Sequence, residues 1–244
     1  MSLRFVHDLP VCDVEIDGQS LPLFFDLGGF DSIALETRQL ERVQARYTGK
    51  TRSYSDVAGK RFVSRSYVIP RVAIGGIVLT DVAGSEHIHE SEDPESTRMG
   101  YLGRGVLDQF RLIVDFPARK VLLLGGTGFP DGYDVARWPK SPLRIDRAGV
   151  STEFLVDGTK RRLVLDTAAG RSRLRPAATG KQPADSTIHV DDLRMGDMSL
   201  GPHDFHAGPF RIPGVDGLLG SPFFMNHVVY IDFAGAEIAI RPRH

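Results

Sequence analysis

The sequence contains itself twice. Residues 11–26 read VCDVEIDGQSLPLFFD and residues 151–166 read STEFLVDGTKRRLVLD; Asp17, Gly18, Asp26 and Ser32 recur as Asp157, Gly158, Asp166 and Ser172, each 140 positions on. A second pair of blocks lies downstream, GYLGRGVLDQFRLIVDF at 100–116 and GLLGSPFFMNHVVYIDF at 217–233. There Gly100, Gly103, Asp115 and Phe116 recur as Gly217, Gly220, Asp232 and Phe233, 117 positions on. Order is preserved, and the first copy carries 23 more residues between its blocks. Self-similarity of this kind predicts two homologous units.

Both copies read as β. In each, an alternating strand runs into Asp-Gly and an apolar strand follows. Asp-Gly tolerates the positive φ of a type I′ turn, so each block is a hairpin that delivers its second strand into an aspartate. Each copy closes on a further hairpin, at 111–124 and 227–240. The 26 glycines and 15 prolines supply the turns a strand-rich chain needs. Helical signal is confined to LETRQLERV at 35–43, with weaker short turns at 105–110 and 222–227. The expected fold is mainly β: an N-terminal lobe 1–126 and a C-terminal lobe 143–244, related by a pseudo-twofold axis. The Gly- and Pro-dense segment 127–142 joins them.

Charge and composition remove several function classes. Thirty Lys and Arg against 31 Asp and Glu leave a net charge of −1 over 244 residues. That balance lacks the cationic footprint of a nucleic-acid binder or a polybasic membrane anchor. No run reaches the roughly 18 apolar residues of a membrane helix, and Met1-Ser2-Leu3-Arg4 opens no apolar stretch of the signal-peptide kind. Cys12 is the only cysteine, so no intrachain disulfide or Cys-rich zinc site is expected.

Asp26 and Asp166 carry the chemistry. Each follows an apolar strand, Leu23-Phe24-Phe25 and Leu163-Val164-Leu165, and each is followed by small residues. A carboxylate at the end of a buried strand is costly unless paired or hydrogen-bonded. Two of them at equivalent places meet near a pseudo-twofold axis. In contact they cannot both ionise cheaply, so they share a proton. Such a pair can activate a water and protonate the product of its attack.

These motifs, FFDLGGFDS and VLDTAAGRS followed by YLG at 101–103 and LLG at 218–220, resemble the pepsin/retropepsin clan of aspartic proteases over roughly residues 9–242. The nearest kind is the two-lobed single-chain bacterial type with retropepsin-like halves. The resemblance implies a cleft between the lobes and an aspartic-type endopeptidase that hydrolyses extended peptides. Its catalytic pair is Asp26 and Asp166, one acting as base on water and the other, protonated, polarising the scissile carbonyl. Gly28, Thr167, Ser32 and Ser172 support the catalytic loops, and the hairpin 54–65, with Tyr54 and Gly59, is the flap. It also implies a monomeric active unit, no cofactor, no metal, and an exported protein. Two positions depart from the pattern. Leu27 stands where a Thr or Ser hydroxyl bonds across to the opposite loop, leaving only Thr167 for that lock. Restoring a hydroxyl at 27 is expected to strengthen the contact unless Leu27 packs in an apolar pocket. Ala168 replaces a Gly, so its Cβ is expected to crowd the floor or resist an unusual φ. The rival function is a catalytically silent, pepsin-like peptide-binding protein.

Other residues receive blander expectations. Asp115 and Asp232 read as turn or ladder residues, and Asp31 as solvated. His87 and His89, two apart and with Glu90 beside them, could share a face and ligate a metal, but no further ligand lies near and the run reads as a polar loop. His203 and His206 read as a solvated loop. Ser32 and Ser172 lack a GxSxG context, so they read as hydrogen-bonding partners rather than nucleophiles.

Overall fold

The computed structural model describes residues 1–55, 59–87, 99–175, 186–208 and 210–242. Both Asp-Gly pairs make their hairpins: φ is 51° at Asp17 and 77° at Gly18, 44° at Asp157 and 76° at Gly158. They join strand Leu9–Ile16 to Gln19–Phe25 and Gly149–Val156 to Thr159–Leu165. Side chains alternate as the two-residue period requires; Val14 and Ile16 are buried while Asp13 and Glu15 face out.

The two copies build the same sheet. Across the first, the order is Arg4–Val6, Leu9–Ile16, Gln19–Phe25, Tyr101–Leu102, Ile33–Leu35, Ile77–Glu86, Arg61–Ile74, Arg46–Ser55. Across the second it is Arg144–Asp146, Gly149–Val156, Thr159–Leu165, Gly217–Leu219, Arg173–Leu174, Met198–Ala207, Thr187–Met195. Strand matches strand, down to the parallel pairing of Gln19–Phe25 with Tyr101–Leu102 and of Thr159–Leu165 with Gly217–Leu219. The first sheet has one more strand, Arg46–Ser55, which falls where the first copy is longer.

A third sheet belongs to both copies, in the order Lys120–Leu124, Arg111–Asp115, Val228–Asp232, Glu237–Ile240, Lys140–Pro142. Its central ladder pairs Ile113 with Tyr230. These two hold the same place in the two copies, so the pseudo-twofold axis runs between them. The flanks repeat as well: the Leu3 N–H donates to the Arg119 carbonyl and the Leu143 N–H to the Ala236 carbonyl, both at 2.8 Å. Segment 127–142 lays Tyr133, Val135 and Trp138 against Ile113 and Tyr230 on one face of this sheet. The larger apolar core runs through both lobes, from Val14, Leu21 and Phe25 to Phe154, Leu163 and Phe223.

The helix expected over 35–43 is cut short. Leu35 is captured as a strand residue beside Glu86, and only Thr37–Leu40 is helical. The pairing made available by the sheet outweighs a weak local propensity. The two short turns form as helices Arg104–Leu107 and Ser221–Asn226. Asp115 and Asp232 are turn residues as expected: each accepts a backbone N–H from its own hairpin, Ala118 at 3.0 Å and Gly235 at 2.8 Å.

Candidate active site

Each catalytic-loop candidate is set by the strand before it and by a glycine-ended strand beside it. The Asp26 N–H donates to the Leu102 carbonyl and the Asp166 N–H to the Leu219 carbonyl, both at 3.0 Å. Immediately after, Gly103 and Gly220 press onto the backs of the two loops. A Cβ at Gly103 would lie 2.3 Å from the Asp31 carbonyl oxygen, and one at Gly220 2.5 Å from that of Ala169. This close approach is why an apolar pair must end in glycine in both copies. The Arg104 N–H then donates to Gly29 O at 2.9 Å and the Ser221 N–H to Ala169 O at 2.8 Å, fastening each loop at its equivalent carbonyl.

The loops bring Asp26 and Asp166 together: the two carboxyls hydrogen-bond to one another. Asp26 accepts from the Gly28 N–H at 2.8 Å and from Gly29, and Asp166 accepts from the backbone of Ala169 and Ala168. These donors favour ionisation. Burial opposes it more strongly, and in Asp26 the neighbouring Asp166 charge adds to it, so both carboxyls are held above the ordinary carboxylate range. Gly28 is tight for the same reason: a Cβ there would stand 2.7 Å from the Asp166 Cγ. Ala168, its counterpart, adopts no positive φ, so the backbone strain expected of it is absent.

Thr167 is the lock between the lobes. Its hydroxyl donates to the Phe25 carbonyl at 2.7 Å and accepts the Leu27 N–H at 2.9 Å. Leu27, the counterpart of Thr167, is fully buried in the shared core. One hydroxyl therefore makes both cross-lobe bonds, and an apolar side chain fills the other half.

Ser172 supports the second loop. Its Oγ accepts the Gly220 N–H at 3.0 Å and bonds His203 Nε2 at 2.7 Å. Ser32 acts through its backbone, its carbonyl accepting the Gly103 N–H at 2.9 Å. His203 is not in a solvated loop. It lies in strand Met198–Ala207 with its ring against Phe205 and Phe223, and burial pushes its pKa down to about 4. His206, in the same strand, bonds Arg171 at 3.0 Å. His87 packs edge-on against Tyr101; His89 and Glu90 lie outside the described residues.

Asp31 is likewise not solvated. It accepts from the Ser85 hydroxyl at 2.6 Å and the Tyr101 hydroxyl at 3.2 Å, and it pairs with Arg52. Tyr101 leans on Gly29, where a Cβ would meet its ring at 2.4 Å. Asp31 and Tyr101 thus tie the first loop to Arg52 on strand Arg46–Ser55, which pairs with Arg61–Ile74 to form a hairpin. In that hairpin Tyr54 stacks on Phe62, ring centroids 5.2 Å apart. The sequence signal for Asp31 was its place one residue before Ser32, and for Tyr101 its place in YLG.

Asp26 and Asp166 lie in the lining of a cleft of about 1040 Å³, together with Tyr54 and Gly59 from the hairpin. Gly59 has φ +88°, and a Cβ there would come within 3.1 Å of Arg211 Cδ. The hairpin thus reaches the second lobe across the cleft.

No family model and no curated protein matches the sequence. Solved structures do match. An aspartic proteinase from Irpex lacteus is 10% identical with a TM-score of 0.67, over 99% of this chain and 96% of that one. Basic 7S globulin from soybean is 11% identical with a TM-score of 0.60, over 96% of this chain and 91% of that one. The protein has the mainly β, two-lobed pepsin-like fold.

Proposed function

We propose that the chain is an aspartic-type endopeptidase of the two-lobed, single-chain bacterial kind with retropepsin-like halves, divided as 1–126, 127–142 and 143–244. The observation that carries this is the hydrogen-bonded pair of repeat-equivalent carboxyls, Asp26 and Asp166, lining the cleft. Burial makes double ionisation costly, so the working pair holds one proton. The ionised carboxyl takes a proton from water, whose oxygen bonds to the scissile carbonyl carbon. The neutral carboxyl gives its proton to the carbonyl oxygen. In the tetrahedral diol so formed, the first carboxyl returns its proton to the amide nitrogen, the C–N bond breaks, and a diol hydroxyl reprotonates the second. One water is consumed, two new termini form, and the pair again holds one proton. One chain supplies both carboxyls, so the active unit is a monomer, and the reaction calls for no cofactor.

A second reading has its own observation. Leu27 is buried where the clan carries a hydroxyl, which favours a cleft that binds extended peptide without turning it over. Incubation with a peptide library, read by mass spectrometry, separates the two. The endopeptidase reading expects cleavage by the native chain and a loss of about 10²-fold or more in Asp26→Asn and in Asp166→Asn. The losses do not add in the double variant, because the two carboxyls act as a unit. Binding without cleavage by the native chain supports the second reading.

A further inference from the structure

The cleft is far more cationic than the molecule that holds it. Five arginines line it, Arg52, Arg147, Arg171, Arg173 and Arg211, against three aspartates, Asp26, Asp31 and Asp166, in a chain whose net charge is −1. Arg52 is neutralised by Asp31. Arg171 bonds an imidazole, His206, rather than a carboxylate. Arg147, Arg173 and Arg211 have no carboxylate partner among the described residues.

The asymmetry follows the repeat. All four arginines without a carboxylate belong to the second copy. At the place equivalent to Arg171 the first copy has Asp31, already paired. The first-copy side of the cleft presents Phe30, Tyr54 and Tyr101 instead. The aromatic side chains of the lining thus lie on the first-copy side, and four of its five guanidinium groups lie on the second, beside Val164, Ile212, Pro213 and Leu218. A peptide in the extended conformation sends alternate side chains to opposite sides. Arginine presents a planar fork that matches a carboxylate with two parallel hydrogen bonds. Asp31 is taken up by Arg52 and Asp26 and Asp166 share one proton, so the cationic groups of the lining outnumber the anionic ones and draw an anionic ligand.

We propose that this cleft selects extended peptides bearing Asp or Glu on the residues that face the second-lobe wall, with apolar residues alternating toward the first. This rests on the cleft being a peptide site, though not on its being catalytic.

The test uses full-length Asp26→Asn protein and three fluorescein-labelled peptides of one apolar scaffold, carrying Glu, Gln or Lys at alternate positions. Binding is followed by fluorescence anisotropy at low and high salt. The Glu peptide is expected to bind about tenfold or more tighter than the Gln peptide, the size of a charge-assisted hydrogen bond, and the Lys peptide most weakly. The gap is expected to shrink as salt rises. It should also narrow when Arg147 and Arg211, both exposed, are changed to Gln. Equal binding, a preference for Lys, a gap indifferent to salt and to these substitutions, or no binding of the Glu peptide overturns the proposal. Cleavage is scored separately on the native chain. Selective binding of the Glu peptide without its hydrolysis removes the endopeptidase reading and leaves the acidic preference standing.

Discussion

Thr167→Val probes the joint on which the paired carboxyls depend. The substitution keeps the shape of the side chain and removes its hydroxyl. Both bonds made by that hydroxyl are lost at once, the 2.7 Å donation to Phe25 O and the 2.9 Å acceptance from the Leu27 N–H. Thr167 and Leu27 are fully buried, so water does not replace either partner. A buried donor or acceptor left without a partner costs about 1–3 kcal/mol, and two of them about 2–6 kcal/mol. In a chain of this size each kcal/mol lowers the melting temperature by about 2–4 °C, which gives a fall of roughly 4–24 °C by calorimetry. Thr167→Ser keeps the hydroxyl and loses one methyl, for about 1 kcal/mol. A Val variant that melts within about 2 °C of the native protein, or no closer to native with Ser than with Val, refutes the single-hydroxyl lock.

Other substitutions follow from the same geometry. Leu27→Thr, expected from sequence to strengthen the lobe contact unless Leu27 packs in an apolar pocket, meets that exception and should lower stability by about 1–2 kcal/mol in denaturant titration. Leu27 fills the core, and the lost methylenes at about 0.8 kcal/mol each outweigh one neutral hydrogen bond. Gly103→Ala and Gly220→Ala should each cost about 1–3 kcal/mol by overpacking, because the new Cβ meets a backbone oxygen at 2.3 Å or 2.5 Å; unchanged midpoints would contradict this. Asp26→Asn should raise the melting temperature at neutral pH. The dyad carboxyls bind protons more tightly when folded than when unfolded, so they favour folding fully below the unfolded carboxyl pKa of about 4 and progressively less as pH rises. The gain in the Asn variant should therefore vanish toward pH 4, and a gain that grows on acidification would reverse the sign of the argument.

The fold was legible because it is written twice. The Asp17-Gly18 and Asp157-Gly158 turns, the aspartates ending two apolar strands and the glycines of YLG and LLG each place one element, and their shared spacing places the lobes together. What remained hidden depended on contacts distant in sequence. Leu35 reads as the start of a helix until a strand lies beside it. Asp31 reads as solvated until the chain returns with Ser85 and Tyr101, 54 and 70 residues later. His203 reads as a loop residue until Ser172 and Phe223 enclose it. The cationic wall was equally invisible, since its arginines are spread from 147 to 211 and sit in a sequence of balanced charge.

The shared proton is the centre of the account, and a pH–rate profile of kcat/KM on a cleaved peptide tests it most directly. Two coupled carboxyls give two macroscopic steps, hence a bell. Gly29 and Ala169 follow the Asp-Leu-Gly and Asp-Thr-Ala motifs with side chains that cannot donate to either carboxylate. Burial therefore keeps the dyad above the ordinary carboxylate range, and the maximum is predicted in weakly acidic to neutral solution. Ala169→Ser, which adds a donor, should move the acid limb downward. A profile with a single limb, or a maximum below the ordinary carboxyl pKa of about 4, would contradict a buried pair sharing one proton.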